Sequence, residues 1–314
     1  MKENLAFVFP GQGSQSVGML GEISEQYAIV KETFDEASDV FGRDMWKLAC
    51  EGPEDDLSKT EITQPIMLIA GVAAWRAWQQ ASDVRPAIMA GHSLGEYTAY
   101  VCSEAISLAA GVGLVKTRGE LMRDACPDGA GKMAAIIGLD DQAIIAACQD
   151  AEQGEVVQAV NFNAPGQVVI AGHSAAIDRA IELAKAAGAK KAMPLSISVP
   201  CHSALMKPAS ESLAEALKAT EFSKPKVPVI NNVDAKIESN PDTIREKLIS
   251  QLYSPVLWVD SVNFMVESGI ELAIECGPGK VLSGMNKRIH RKLGVVSLQD
   301  PALFDKALGL VAGS

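Results

Sequence analysis

The sequence contains no pair of cysteines spaced to hold a metal or to form a redox couple. Its six cysteines lie far apart, and none belongs to a Cys-x-x-Cys motif; they occupy positions 50, 102, 126, 148, 201 and 276. Structural zinc sites and disulfide frameworks need cysteines at short, repeated spacings. We therefore expect reduced thiols, as in a cytosolic protein, and no metal site.

Positive charge and long apolar runs are also scarce. The 314 residues include 28 Lys and Arg against 39 Asp and Glu, a net charge of −11, which disfavours general nucleic-acid binding. The longest uncharged apolar stretch, residues 62–75, is too short to span a bilayer and contains Gln64 and Pro65. The N-terminus has only the short apolar run 5–9 and no cleavage signature, so we predict no signal peptide. Together these absences predict a cytoplasmic protein without a membrane or nucleic-acid partner.

Residues 86–97, Pro-Ala-Ile-Met-Ala-Gly-His-Ser-Leu-Gly-Glu-Tyr, place the pattern Gly-x-Ser-x-Gly between a strand-like and a helix-like segment. This arrangement is typical of a nucleophile elbow, in which Ser93 would occupy a strained turn with its hydroxyl exposed. Gly91 and Gly95 lack the Cβ atoms that would clash where strand and helix pass closely. The helix N-terminus would bring the Leu94 N–H beside the serine, where an oxyanion would develop. A glycine-containing turn with no catalytic role is the alternative.

Strands and helices alternate along most of the chain, which predicts an α/β fold with a mostly parallel sheet. Residues 129–198 instead follow the order strand, helix, strand, strand, helix, strand, the ferredoxin-like plan. We predict that they form a small domain inserted into a large one, which comprises residues 1–128 and 199–314. Apolar spacing also predicts a single amphipathic helix over residues 23–41, and Thr63 suits the N-cap of the next helix.

Only four histidines could serve Ser93 as a base. His92 is adjacent to the serine, and neighbours in such a turn point apart, while His173 lies in a turn of the small domain and His290 in a basic run. His202 remains by elimination, in the constrained segment where the chain re-enters the large domain. No acid with a clear triad pattern follows it, so the third member of a triad is missing.

Several segments occur in the order found in one enzyme family: Phe-Pro-Gly-Gln-Gly-Ser-Gln (9–15), Thr-Gln-Pro (63–65), Gly-His-Ser-Leu-Gly-Glu-Tyr (91–97), Arg-Gly (118–119), Asn-Phe-Asn-Ala-Pro-Gly (161–166), Ser-Val-Pro-Cys-His (198–202), Gln-Leu-Tyr-Ser-Pro (251–255) and Gly-Pro-Gly-Lys-Val-Leu (277–282). The chain resembles the bacterial malonyl-CoA:acyl carrier protein transacylases, free-standing relatives of polyketide synthase acyltransferase domains. The resemblance covers nearly the whole chain. It implies an α/β-hydrolase-like large domain with a ferredoxin-like insertion.

The resemblance also implies a role for particular residues. Ser93 would be the nucleophile and His202 its general base, oriented by the backbone carbonyl of Gln251 in place of an acid. The N–H groups of Gln12 and Leu94 would form the oxyanion hole. Three residues near the pocket are weaker inferences: His92, Gln64 and Asn163. Cys201 departs from the family pattern, in which serine is frequent at this position.

Arg118 is interpreted differently by position and by resemblance. It lies beside the apolar stripe of a predicted helix that starts after Ser107, where an arginine usually snorkels or pairs with a structural carboxylate. The resemblance instead implies that Arg118 grips the free carboxylate of a malonyl group through a bidentate contact.

The implied reaction moves a malonyl group from malonyl-CoA to the phosphopantetheine thiol of acyl carrier protein, for fatty acid synthesis. It needs neither a metal nor a bound cofactor, because phosphopantetheine is carried by the partner. A serine hydrolase (an esterase or thioesterase), a non-catalytic carrier-binding module and a transferase for another acyl group are the alternatives. The sequence leaves the oligomeric state open, with a monomer as the expectation.

The charge of the chain is at odds with these partners, because coenzyme A is anionic and carrier proteins are typically acidic. A local basic patch would then have to attract them. The densest basic run is residues 287–292, Lys-Arg-Ile-His-Arg-Lys, and Lys190 with Lys191 is the second. We hypothesise that Arg288 and Arg291 help to dock the carrier; a solvated helix face is the alternative.

Overall fold

The computed structural model describes residues 2–127, 129–197 and 199–312. The two predicted domain boundaries adjoin Asp128 and Ser198, which lie outside the described residues, so these boundaries stay predictions. The strands are β1 (Lys2–Phe9), β2 (Pro86–Gly91), β3 (Gly131–Ile137), β4 (Val157–Ala164), β5 (Gln167–His173), β6 (Lys191–Pro194), β7 (Val229–Ile230), β8 (Ile237–Glu238), β9 (Leu272–Glu275) and β10 (Gly294–Ser297).

The helices connect and cover these strands. They are α1 (Gly21–Gln26), α2 (Ile29–Phe41), α3 (Met45–Glu51), α4 (Glu54–Leu57), α5 (Thr60–Ala81), α6 (Leu94–Cys102), α7 (Leu108–Asp124), α8 (Asp141–Ala151), α9 (Ser174–Ala186), α10 (Lys207–Ala219), α11 (Pro241–Gln251), α12 (Trp258–Glu267), α13 (Val281–Ile289) and α14 (Pro301–Ala312), with a 3₁₀ turn at Ala204–Met206. Within the described ranges, no helix is long and apolar enough to cross a membrane.

The larger sheet has the strand order β10-β9-β1-β2-β7-β8. Every pairing in it is parallel except that of β7 with β8 at one edge. Side chains of β1 alternate between two cores: Leu5, Phe7 and Phe9 belong to one, and Ala6 and Val8 to the other. Such continuous apolar strands are expected in a parallel sheet that is covered on both faces. The predicted α/β fold with a mostly parallel sheet is confirmed.

The smaller sheet has the order β4-β5-β3-β6, and all of its pairings are antiparallel. Helices α8 and α9 share an apolar core with it, which confirms the predicted ferredoxin-like order of elements. One bridge ties this sheet to the rest of the molecule: the Phe162 N–H donates to the Val256 carbonyl (3.0 Å), and the Val256 N–H donates to the Val160 carbonyl (2.8 Å). This bridge brings β4 beside the segment that follows α11.

Two local predictions are wrong. The helix predicted over residues 23–41 is broken at Tyr27, whose backbone is extended, into α1 and α2. The apolar spacing continues across the break because the Tyr27 ring still packs inward, 5.0 Å from the Phe304 ring. Thr63 is not an N-cap, since α5 begins at Thr60 and the Thr63 hydroxyl donates to the Lys59 carbonyl of the first turn (3.0 Å).

Candidate active site

The predicted elbow is a strand, a tight turn and a helix, made of β2, residues 92–93 and α6. Ser93 has φ 52° and ψ −108°, a backbone conformation with positive φ that residues other than glycine rarely adopt. A Cβ atom on Gly91 would lie 1.9 Å from the Gly95 carbonyl carbon, and a Cβ on Gly95 would lie 2.0 Å from the Phe9 carbonyl oxygen. Both glycines are therefore required for β1, β2 and α6 to approach this closely.

Ser93 and His202 form a hydrogen-bonded pair. The Ser93 Oγ and the His202 Nε2 are 2.7 Å apart, and the His202 Nδ1 is 2.8 Å from the backbone carbonyl of Gln251. A carbonyl can only accept, so Nδ1 carries the proton and Nε2 is left as the acceptor that faces the serine. Burial, and then the positive charge of Arg118, lowers the pKa of His202 to about 3. The imidazole is thus neutral at physiological pH.

Arg118 projects from α7 into the same place and is almost completely buried. Its Nη2 is 3.2 Å from the Ser93 Oγ and 3.1 Å from the Gln251 Oε1, and its Nη1 donates to the Gln64 Oε1 (2.6 Å). The Tyr97 ring lies beneath the guanidinium at 5.4 Å. No carboxylate forms a direct ion pair with Arg118 within the described ranges, and its guanidinium does not reach solvent.

A cleft of about 60 Å³ opens above Ser93, and Gln12 and Leu94 line it. The Thr60 hydroxyl donates to the Gln12 Oε1 (2.8 Å) and holds this side chain at the start of α5. The N–H of Ser93 itself is occupied, because it donates to the Asn232 Oδ1 (2.7 Å). Among the described residues, no acceptor is bonded to the N–H groups of Gln12 and Leu94. Both residues line the cleft with N–H groups that are free to donate, and Leu94 is at the positive end of α6.

The smaller sheet borders the cleft through a second histidine contact. The His92 Nε2 lies 2.8 Å from the Asn163 Oδ1 at the end of β4, and the His92 ring packs 5.6 Å from the Trp258 ring. Burial lowers the pKa of His92. The neutral imidazole donates from Nε2 to the asparagine oxygen, which leaves Nδ1 without its proton. His92 thus fixes the position of β4 and does not bond to Ser93.

The roles of two side chains of the site, those of Asn232 and Gln251, were not predicted from the sequence. Asn232 donates from Nδ2 to the Gly91 carbonyl (2.7 Å) in addition to accepting from Ser93. The Gln251 side chain donates from Nε2 to the Ser93 carbonyl (3.0 Å) and to the Glu96 carboxylate (2.8 Å). Asn232 follows β7, which pairs in parallel with β2. Because the carboxyl ends of adjacent parallel strands lie side by side, a polar residue just after β7 could have been expected near Ser93.

The remaining wall of the cleft is largely apolar. Cys201 belongs to this wall together with Met122, Met133 and Ile197. Burial raises the pKa of the Cys201 thiol to about 11, so the thiol stays protonated and acts as a small apolar side chain. In the described part of the chain, no group of three or more His, Cys, Asp or Glu residues could hold a metal ion.

Comparison with known proteins gives consistent matches. The acyl transferase domain model matches residues 6–297. A malonyl CoA-acyl carrier protein transacylase of Escherichia coli strain K12 is 55% identical over 305 residues, 97% of this chain and 99% of that protein. The crystal structure of an acyl carrier protein S-malonyltransferase from Vibrio cholerae has a TM-score of 0.95 and 55% identity, covering 97% of this chain and 99% of that one.

A further solved structure holds a malonyl-transacylase in complex with a type II polyketide synthase acyl-carrier protein. Its TM-score is 0.97 at 50% identity, and the match covers 98% of this chain and 99% of that one. Each of these matches covers at least 97% of this chain and 99% of the relative. The chain belongs to the acyl transferase family, in the group of the malonyl CoA-acyl carrier protein transacylases.

Proposed function

We propose that this protein transfers a malonyl group from malonyl-CoA to the phosphopantetheine thiol of acyl carrier protein, through a malonyl ester on Ser93. It would thereby supply extender units for fatty acid synthesis. The observation that carries the proposal is one arrangement in a single cleft: a hydroxyl 2.7 Å from a neutral imidazole and 3.2 Å from a buried guanidinium. The first pair suits attack on a thioester, and the guanidinium suits the distal carboxylate of a diacid.

In the first half-reaction the Ser93 Oγ attacks the thioester carbonyl of malonyl-CoA while the His202 Nε2 takes its proton. The Gln251 carbonyl accepts from Nδ1 and stabilises the imidazolium that forms. The N–H groups of Gln12 and Leu94 donate to the oxyanion of the tetrahedral intermediate. As that intermediate collapses, the C–S bond breaks and coenzyme A leaves with the proton from His202. The ester on Ser93 remains.

The second half-reaction runs the same steps in reverse with a different thiol. The phosphopantetheine thiol of the carrier gives its proton to the His202 Nε2 and attacks the ester carbonyl. The C–O bond to Ser93 then breaks, and Ser93 regains its proton from His202. Because coenzyme A departs before the carrier reacts, the kinetics are expected to be ping-pong. All of the groups that move protons belong to this chain or to its two thiol substrates.

We also infer that residues 129–198 act as an inserted domain that closes one side of the cleft. Two contacts support this role: the His92–Asn163 bond at 2.8 Å and the β bridge between Asn161 and Val256. The first joins β4 to the residue next to Ser93, and the second joins β4 to the segment after α11. Substrate would then enter between the two domains.

Intact-mass spectrometry after mixing with malonyl-CoA tests the proposal directly. We expect a mass gain of one malonyl group, located on Ser93 by peptide mapping, and its loss when carrier protein is added. A serine hydrolase would release malonate rapidly without the carrier, because water would cleave the ester. A non-catalytic binding module would show no mass gain at all. Either result would contradict the proposal.

The basic run 287–292 is the proposed docking site for the acidic carrier. Arg288 and Arg291 are exposed, and the Arg288 guanidinium bonds to the Gln167 side chain of the smaller sheet. Reversing both charges (Arg288→Glu, Arg291→Glu) should raise the KM for carrier protein on the order of 3 to 10-fold and leave malonyl loading of Ser93 unchanged. Steady-state transfer assays at low salt measure both quantities.

Two controls sharpen the docking test. Arg291→Glu alone keeps the Arg288–Gln167 contact, so its effect reports charge rather than loss of that contact. Lys31→Glu with Lys47→Glu changes the net charge by the same amount as the arginine pair. These two exposed lysines lie elsewhere, on α2 and α3. An equal rise in KM for that pair, or none for the arginine pair, would contradict docking at this run.

A further inference from the structure

The buried charge of Arg118 has no carboxylate beside it in the parts of the chain that the structure describes. Its side-chain partners are the neutral groups of Gln64, Gln251 and Ser93. An isolated charge is costly to bury unless an opposite charge or strong hydrogen bonds compensate it. Neutral hydrogen-bond partners offset only part of this cost, so a carboxylate further away is the available source of compensating charge.

Glu96 is the acidic group in position to supply it. This carboxylate on α6 is fully buried, and its Oε2 accepts from the Gln251 Nε2 (2.8 Å) and from the Asn232 N–H (2.9 Å). Its Oε1 has no partner among the described residues. Glu96 is thus one amide away from Arg118, because the Oε1 of the same Gln251 side chain accepts from the guanidinium.

The orientation of the Gln251 amide agrees with these two charges and with the Ser93 carbonyl, which also accepts from its Nε2 (3.0 Å). Its oxygen faces the cation and its NH₂ group faces the anion. The opposite orientation would turn the NH₂ group toward the guanidinium and the oxygen toward the carboxylate. An amide fixed in this way transmits the charge of each partner to the other through a chain of two hydrogen bonds.

Glu96 changes its protonation state near neutral pH. Burial raises the pKa of Glu96 to about 7, and the Gln251 and Asn232 bonds and the Arg118 charge oppose this rise. The other groups that face it are Tyr97 and Tyr100 on its own helix and Asp234 after β7; Asp234 raises the pKa of Glu96 but is itself paired with Lys247 (2.9 Å). Arg118 is therefore the charge that favours the ionised form.

We propose that Glu96 is the counter-charge of Arg118 in the empty site, and that the carboxylate of the incoming acyl group displaces it from this role. As the acyl carboxylate pairs with Arg118, the pKa of Glu96 rises further, and the fraction of Glu96 that was ionised takes up a proton on the unpartnered Oε1. Neutral acyl groups do not trigger this uptake. Glu96 is thus a positioning residue that ties selection of a dicarboxylic acyl group to a proton. This inference rests on the proposed function.

Calorimetry on the Ser93→Ala protein, in which no ester can form, measures the coupling. Titrations at pH 7 in phosphate and in Tris give the protons taken up per ligand bound, with malonyl-CoA compared against acetyl-CoA and coenzyme A. We expect malonyl-CoA to take up about 0.3–0.5 proton more than either reference. The shared coenzyme A moiety cancels in this difference.

Two variants of buried glutamates provide the decisive comparison. Glu96→Gln should abolish the extra proton uptake, and circular dichroism checks that the variant is folded. Glu275→Gln is the matched control, because Glu275 is equally buried and its pKa is also raised to about 7, but it bonds to the Leu282 and Ser283 N–H groups at the start of α13. The extra uptake should persist in this control.

The outcomes separate this inference from the function on which it rests. A malonyl ester on wild-type Ser93, combined with equal proton uptake for malonyl-CoA and acetyl-CoA, would overturn the inference alone. Persistence of the extra uptake in Glu96→Gln, or its loss in Glu275→Gln, would also overturn it. Absence of any ester on the wild-type serine would overturn both the inference and the proposed function.

Discussion

Arg118→Ala is expected to lower kcat/KM for malonyl-CoA by about 10²–10³-fold while acetyl transfer is retained. The guanidinium is buried 3.2 Å from the Ser93 hydroxyl, so a thioester carbonyl at Ser93 would leave the distal carboxylate of a malonyl group within its reach. Truncating one partner of a buried, hydrogen-bonded charge pair costs roughly 2–5 kcal/mol, and each 1.4 kcal/mol is a factor of about ten. An acetyl group has no second carboxylate and loses no such contact.

The comparison of the two acyl groups is the essential measurement for this variant. Rates of ester formation from malonyl-CoA and acetyl-CoA are followed by quenched-flow intact-mass spectrometry, and acetyl loading reports that the variant is folded. Arg118→Lys keeps the charge without the planar fork, so it should fall between the wild type and the alanine variant. Equal loss of both activities would show that Arg118 supports Ser93 rather than binding a carboxylate.

The order of elements could be predicted because it depends on local patterns. Strand-length apolar runs that alternate with helix-like segments predicted the mostly parallel sheet and the ferredoxin-like order of elements, and both are observed. The break at Tyr27 was missed because its ring packs on the same core as α2, so the apolar spacing shows no interruption. A pattern of burial specifies which face of a segment is apolar, and it does not specify whether the backbone between two buried residues stays helical.

The residues of the site also differ in how far local sequence patterns could predict them. The elbow was predictable because the motif from Gly91 to Gly95 spans only five residues, although Gly95 is also required by its packing against the Phe9 carbonyl of β1. Arg118 was not predictable from its helix, since a functional cation and a structural one have the same spacing. Its partners come from other helices, Gln64 from α5 and Gln251 from α11, and only the tertiary fold brings them together. Only the family resemblance pointed to Arg118. Nothing in the sequence pointed to the hydrogen-bond network around Glu96.

His202→Ala is expected to reduce the rate of malonyl loading by at least about 10³-fold, close to the loss in Ser93→Ala. A serine hydroxyl is a weak nucleophile until a base takes its proton, and here the His202 Nε2 is 2.7 Å away. Added imidazole should restore part of the rate by filling the vacated space. Restoration by imidazole would be inconsistent with a purely structural role, whereas an unchanged loading rate in the variant would show that another group is the base.

The pH dependence of the wild type gives an independent test of the same residue. An unperturbed histidine has a pKa near 6.5 and would stop acting as a base below that pH, but the pKa of His202 is lowered to about 3. The loading rate at saturating malonyl-CoA should therefore stay level from pH 8 to about pH 5. Because the Arg118 charge is the second cause of the lowered pKa, Arg118→Ala should move the acid limb of acetyl loading to higher pH. A wild-type inflection near pH 6.5 would mean that the imidazole is solvated, and the neutral base proposed here would be wrong.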